Sequence, residues 1–89
     1  MSPASQALLT ESRGHQAAGR YAQAAASIER AIRIEPRQPV LWLELGNLRL
    51  KEGDYAQAES LGRKALSLSA GDAALSARAQ QLITAAKKP

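Results

Sequence analysis

The chain has 89 residues, enough for one small domain with a thin stability margin. It has no cysteine, which excludes disulfides and thiolate metal sites, and no apolar run approaches the roughly 18 to 20 residues of a membrane span. The net charge is +4 with a pI near 10.0, but the basic residues scatter from Arg13 to Lys88 among acids, without the aromatic–basic alternation that base stacking requires.

Alanine, leucine and unbranched polar residues dominate and Tyr21, Trp42 and Tyr55 are the aromatics, so the chain is expected to be all-α. In chain order, the first helix covers about 5–18 and stops at Gly19. The second covers about 21–34, and Arg20 before it is a poor cap. Pro36 and Pro39 close this segment, because proline cannot continue a helix and pushes the residue before it out of α geometry. The third, about 39–52, starts on Pro39, where a missing N–H costs nothing, and carries Leu41, Leu45 and Leu48 at helix spacing. Gly53 ends it. Asp54 caps the fourth helix, about 55–68, and Asp72 caps the fifth, about 73–87. The fifth bears a stripe of Leu75, Ala79, Leu82, Ile83 and Ala86, with Lys87 and Lys88 at its C-terminal end, where positive charge is favoured. Links of two to four residues make neighbouring helices antiparallel.

The segment Gly19-Arg20-Tyr21-Ala22-Gln23-Ala24 returns 34 residues later as Gly53-Asp54-Tyr55-Ala56-Gln57-Ala58. At the same offset Leu9 pairs with Leu43, Arg30 with Lys64, Ala31 with Ala65, Ile32 with Leu66 and Ile34 with Leu68. A fixed period of this length marks a stack of repeated helix pairs.

The unit with Trp42, Leu45, Gly46, Gly53-Asp54-Tyr55, Ala58 and Ala65 resembles the tetratricopeptide repeat. The first unit agrees at Gly19, Tyr21, Ala24, Ala31 and Pro36, and has Leu8, Glu11 and Ser12 where the second has Trp42, Leu45 and Gly46. The resemblance implies a right-handed α-α superhelix in one domain over 1–89: repeat 1 at about 5–38, repeat 2 at about 39–72, and a C-terminal capping helix at about 73–87. Ala24, Ala58, Gly46 and Ala65 are then places of close helix approach, and the rings of Tyr21 and Tyr55 fill wedges between packed helices. Gly62 stands where the first unit has Ile28. Glycine inside a helix costs about 1 kcal/mol relative to alanine, so a very close contact or a partner-filled gap is expected there.

Catalysis is not expected. His15 is the only histidine, no serine elbow accompanies it, and no phosphate-binding glycine loop occurs. No metal and no cofactor are expected. By resemblance, the first helix of each repeat lines a concave groove that binds a protein or peptide. The groove residues are Leu9, Arg13, Gln16, Val40, Leu43, Asn47, Leu50, Lys51 and Arg78, an apolar strip with a mainly basic rim suited to apolar anchors and some negative charge. On this reading Leu43→Asp leaves the fold intact and abolishes partner binding; the alternative is that these leucines are peripheral core. One subclass of the family clamps a C-terminal carboxylate, but Leu9, Arg13, Glu44 and Ala74 occupy most of the clamp positions and only Arg78 agrees, so no such clamp is expected.

The short form, with Ile28 to Arg37 as its most telling segment, is also similar to bacterial envelope lipoproteins of this family that activate peptidoglycan synthases (penicillin-binding proteins). That resemblance implies a periplasmic domain excised from a longer lipoprotein, whereas a native start at Met1 implies the cytoplasm; Met1-Ser2-Pro3-Ala4-Ser5 itself is not a signal peptide. The rival functions are self-association through exposed Leu9 and Leu43, giving a homodimer, and weak nucleic-acid binding through the basic surface.

Overall fold

The computed structural model describes residues 1–87. It contains five helices: α1 (Pro3–Ala17), α2 (Tyr21–Ile34), α3 (Pro39–Lys51), α4 (Tyr55–Leu68) and α5 (Ala73–Lys87). Three of the five have the expected bounds; α1 begins two residues early, and α1 and α3 each end one residue sooner. Lys88, expected at the end of α5, lies outside the described residues.

Local chemistry sets the boundaries. Ser2 is the N-cap of α1, its hydroxyl accepting from the Ser5 N–H at 3.2 Å, and Pro3 occupies the first turn. Asp54 and Asp72 cap α4 and α5 by accepting from Gln57 N–H (3.2 Å) and Leu75 N–H (3.0 Å). Arg20 makes no side-chain cap at the start of α2. Gly19 and Gly53 adopt left-handed backbone (φ 76° and 81°), which lets the amides of Arg20 and Asp54 reach back to the carbonyls of His15 and Arg49 at 2.8 and 2.9 Å.

The helices pack as α1 on α2 and α3 on α4, with α2 joined to α3 and with α5 laid across both α3 and α4. The result is a two-repeat right-handed superhelix closed by α5, 29 × 28 × 18 Å. One core cluster joins Leu9, Ala24, Ala25, Ile28 and Ala31 to Leu41, Leu45 and Leu48 across the repeat junction. A second holds Leu43, Ala58, Ala65, Ala79, Leu82 and Ala86. Ala24 and Ala58 are fully buried, as close helix approach requires. A Cβ on Gly62 would stand 2.9 Å from Ile83 Cγ1 and 3.3 Å from Leu82 Cγ, so the helical glycine is there because α5 lies on top of it.

Position-by-position differences between the repeats explain how the stack ends. Leu41, Leu45 and Leu48 of α3 pack against the first repeat; their equivalents in α1 are Ala7, Glu11 and Gly14, all exposed. The N-terminal face of the stack therefore presents small and polar groups and needs no apolar cover. Ser12, in the place of Gly46, is fully buried and donates to the Ala24 carbonyl at 3.0 Å, while Ser27 donates to Glu11 at 2.8 Å. The two tyrosines diverge. Tyr21 is half-buried against the first cluster, but Tyr55 is 38% exposed and does not fill a wedge. The Lys51 ammonium sits 6.0 Å from the Tyr21 ring centroid, so its stem can shield that ring; the position equivalent to Lys51 beyond Tyr55 is Ala85, whose methyl is too short to do so.

Glu35, just after α2, ties the loop to the start of α1. Its carboxylate accepts from the Ser2 amide, and the Ser2 side chain and backbone, followed by the Ser5 hydroxyl, lower its pKa from 4.5 to about 2. Because the folded-state value is depressed, the stabilisation is fully present above about pH 4.5 and is lost as pH falls toward 2. Urea midpoints measured from pH 6 to pH 2 are expected to drop across that interval in the wild type and to stay flatter in Glu35→Gln; parallel profiles would show that the Ser2 bond contributes nothing.

Candidate partner-binding surface

α1, α3 and α5 present the face that the sequence assigned to a partner. Arg13 on α1 forms an ion pair with Glu44 on α3 at 3.0 Å, and Gln16 donates to the other Glu44 oxygen at 3.5 Å. The carboxylate is only 14% exposed and bridges the first helices of the two repeats, while most of the Arg13 side chain remains in solvent. Asn47 is exposed on the same helix as Glu44 and donates back to the Leu43 carbonyl at 3.0 Å. Lys51 and Arg78 are exposed, and among the described residues neither forms an ion pair. The face therefore keeps two cations that no carboxylate neutralises.

The apolar members of the expected groove divide. Leu9 (3% exposed) and Leu43 (1%) are core residues, Leu9 against Ala24 and Ile28 and Leu43 beside Ala58 and Ala65. Both side chains are buried rather than exposed, contrary to the expectation that placed them on the groove surface and in a homodimer contact. The reason is geometric. Leu9 and Leu43 flank the packing stripe, and small residues on the facing helix, such as Ala24 and Ala58, let it approach closely enough to cover them as well. Val40 and Leu50 are half-buried, packed by one side against the first and second clusters respectively. The structure thus brings Arg13 and Gln16 together around Glu44, leaves Asn47, Lys51 and Arg78 at the surface, and removes the two leucines. Glu44 was expected to line the groove, but not to organise it by pairing with Arg13; a carboxylate one repeat on from Thr10, beside Arg13 one turn further along, was a readable sign.

His15 Nδ1 accepts from Arg20 Nε at 3.1 Å, across the α1–α2 turn.

The tetratricopeptide repeat model matches residues 9–73. The chain belongs to the tetratricopeptide repeat family. Among solved structures, this tetratricopeptide repeat domain is similar to the globular C-terminal domain of LpoP from P. aeruginosa, with 41% identity and a TM-score of 0.96 over 99% of this chain and 83% of that one. It is also similar to PcrH from Pseudomonas aeruginosa (27% identity, TM-score 0.85, 93% of this chain and 65% of that one). A second PcrH structure, in complex with the chaperone binding region of PopD, matches at 26% identity and TM-score 0.85 over 94% of this chain and 65% of that one. The domain therefore spans just under two thirds of the PcrH chains. No curated protein matches it in sequence.

Proposed function

We propose that the chain is a non-catalytic protein-binding domain, two repeats at about 5–38 and 39–72 closed by α5, that holds a segment of a partner protein on the face of α1, α3 and α5. The observation that carries this reading is the uncompensated charge of that face: Glu44 is engaged by Arg13 and Gln16, which leaves Lys51 and Arg78 to meet carboxylates of a partner. The contact set is Arg13, Gln16, Asn47, Lys51 and Arg78, with the exposed flanks of Val40 and Leu50 as apolar edges. PcrH, which shares the fold, has been solved with a bound region of PopD, which supports a peptide-like ligand. The partner we infer is a bacterial peptidoglycan synthase of the penicillin-binding class. The likeness to the LpoP domain supports this reading, as does the resemblance of the Ile28 to Arg37 segment to envelope lipoproteins, and on this reading the domain works in the periplasm.

Binding of the purified periplasmic part of the synthase from the source organism, measured by calorimetry, tests both statements. The Lys51→Glu/Arg78→Glu double variant is expected to melt with the wild type and to bind at least about tenfold more weakly, a difference of about 1.4 kcal/mol. Failure of the wild type to bind sinks the choice of partner; unchanged affinity of the double variant sinks the choice of face.

A further inference from the structure

A second surface lies at the end of the stack where α2 turns into α3. It is built by the sequence Arg33-Ile34-Glu35-Pro36-Arg37-Gln38 and by Trp42 and Lys64. Ile34 is 50% exposed, whereas its equivalent one repeat on, Leu68, is half-buried. Beside it, Glu35, Pro36, Arg37 and Gln38 line an open pocket of about 350 Å³. The Trp42 indole N–H donates to the Pro36 carbonyl at 2.8 Å, which fixes the ring to the loop, and the Lys64 ammonium sits 5.6 Å from the ring centroid. Arg33, Arg37 and Lys64 form no ion pair among the described residues, and the single carboxylate of the cluster, Glu35, is turned to the Ser2 amide.

We infer that this loop end is a second docking surface, for an acidic segment of a partner protein whose aliphatic side chain enters the pocket beside Ile34 while its carboxylates face Arg33, Arg37 and Lys64. Three cations against one already bonded carboxylate select for negative charge. The exposed isoleucine and the indole, held open by the loop, supply the apolar contact that a purely ionic site lacks. The loop residues line a shallow open depression, which has room for a single side chain of a polypeptide. The surface shares no residue with the contact set of Arg13, Gln16, Asn47, Lys51 and Arg78, and it stands whether or not that set binds.

Trp42 is the only tryptophan, so its indole N–H is a single-site reporter. The test is a titration of the isotopically labelled domain with a short acetylated peptide carrying one central leucine flanked by glutamates. Expected are shifts of the amides of Ile34 to Gln38 and of the Trp42 indole. Raised salt and Arg37→Glu should each weaken them at least about tenfold, Ile34→Asp should abolish them, and the lysine-flanked peptide should be silent. Both substitutions fall at exposed positions, and unchanged melting confirms that the variants are folded. The inference is overturned if millimolar peptide shifts nothing in this segment, or shifts only the residues around Arg13, Gln16, Asn47, Lys51 and Arg78. It is equally overturned if vesicles of phosphatidylglycerol and phosphatidylethanolamine perturb these resonances and the peptide does not, or if they depend on protein concentration alone and so report a second copy.

Discussion

Leu43→Asp is expected to unfold the domain at room temperature. Leu43 is 1% exposed and packs in the second core cluster with Ala58, Ala65, Leu82 and Ala86. Removing a buried leucine side chain to alanine costs about 2–5 kcal/mol, and aspartate adds a carboxylate with no partner in an apolar site. A domain of this size holds little more than that in total. Far-UV circular dichroism should show loss of most helix signal, whereas Leu43→Met, which conserves volume, should lose less than about 1.5 kcal/mol. A Leu43→Asp protein that melts with the wild type would return Leu43 to the surface and restore the apolar strip that the sequence suggested.

Gly62→Ile, which places the residue of the first repeat into the second, is expected to release α5. The β-carbon alone would meet Ile83 Cγ1 at 2.9 Å and Leu82 Cγ at 3.3 Å, with the Ile83 backbone nitrogen at 3.5 Å behind them. Neither side-chain atom is the free end of a flexible chain, and isoleucine adds three further carbons beyond that β-carbon. Overpacking of this kind costs about 1–3 kcal/mol or more, and the helix-propensity gain over glycine recovers less than about 1 kcal/mol of it. Since Leu82 and Ile83 are the residues by which α5 holds the stack, loss of their seat frees the whole helix and bares the second cluster. Hydrogen exchange should show the amides of α5 losing protection ahead of those of α1 and α2. If Gly62→Ile instead stabilises the domain, the contact between α4 and α5 is looser than these distances state.

Gly62 shows how far the sequence could be read. A glycine where the sister repeat has Ile28 announced an anomaly, and a close helix contact was one of two readings; only the position of α5 chose between them. Glu44 and Arg13 were visible as charges on neighbouring helices, but their pairing depends on how far α3 is displaced along α1, which no local signal encodes. Ser2 and Pro3 did carry a readable cap-and-first-turn signal, and the start of α1 was still placed two residues late.

The sequence by itself determined the number of helices, their ends to within two residues and the superhelical family. These follow from interactions within a few residues: prolines that cannot continue a helix, glycines in left-handed backbone, aspartate caps, and a period of 34 that repeats one packing unit. What only the tertiary structure decided is which side chains remain at the surface. Leu9 and Leu43 went into the core, and Tyr55 stayed out of it. A helix in a stack has neighbours on several sides, so the width of its buried stripe is set by the size of residues on other helices. Alanines facing the two leucines let the neighbouring helices close over them, and Tyr55 lacks at the equivalent position, Ala85, the long side chain that Lys51 extends toward Tyr21.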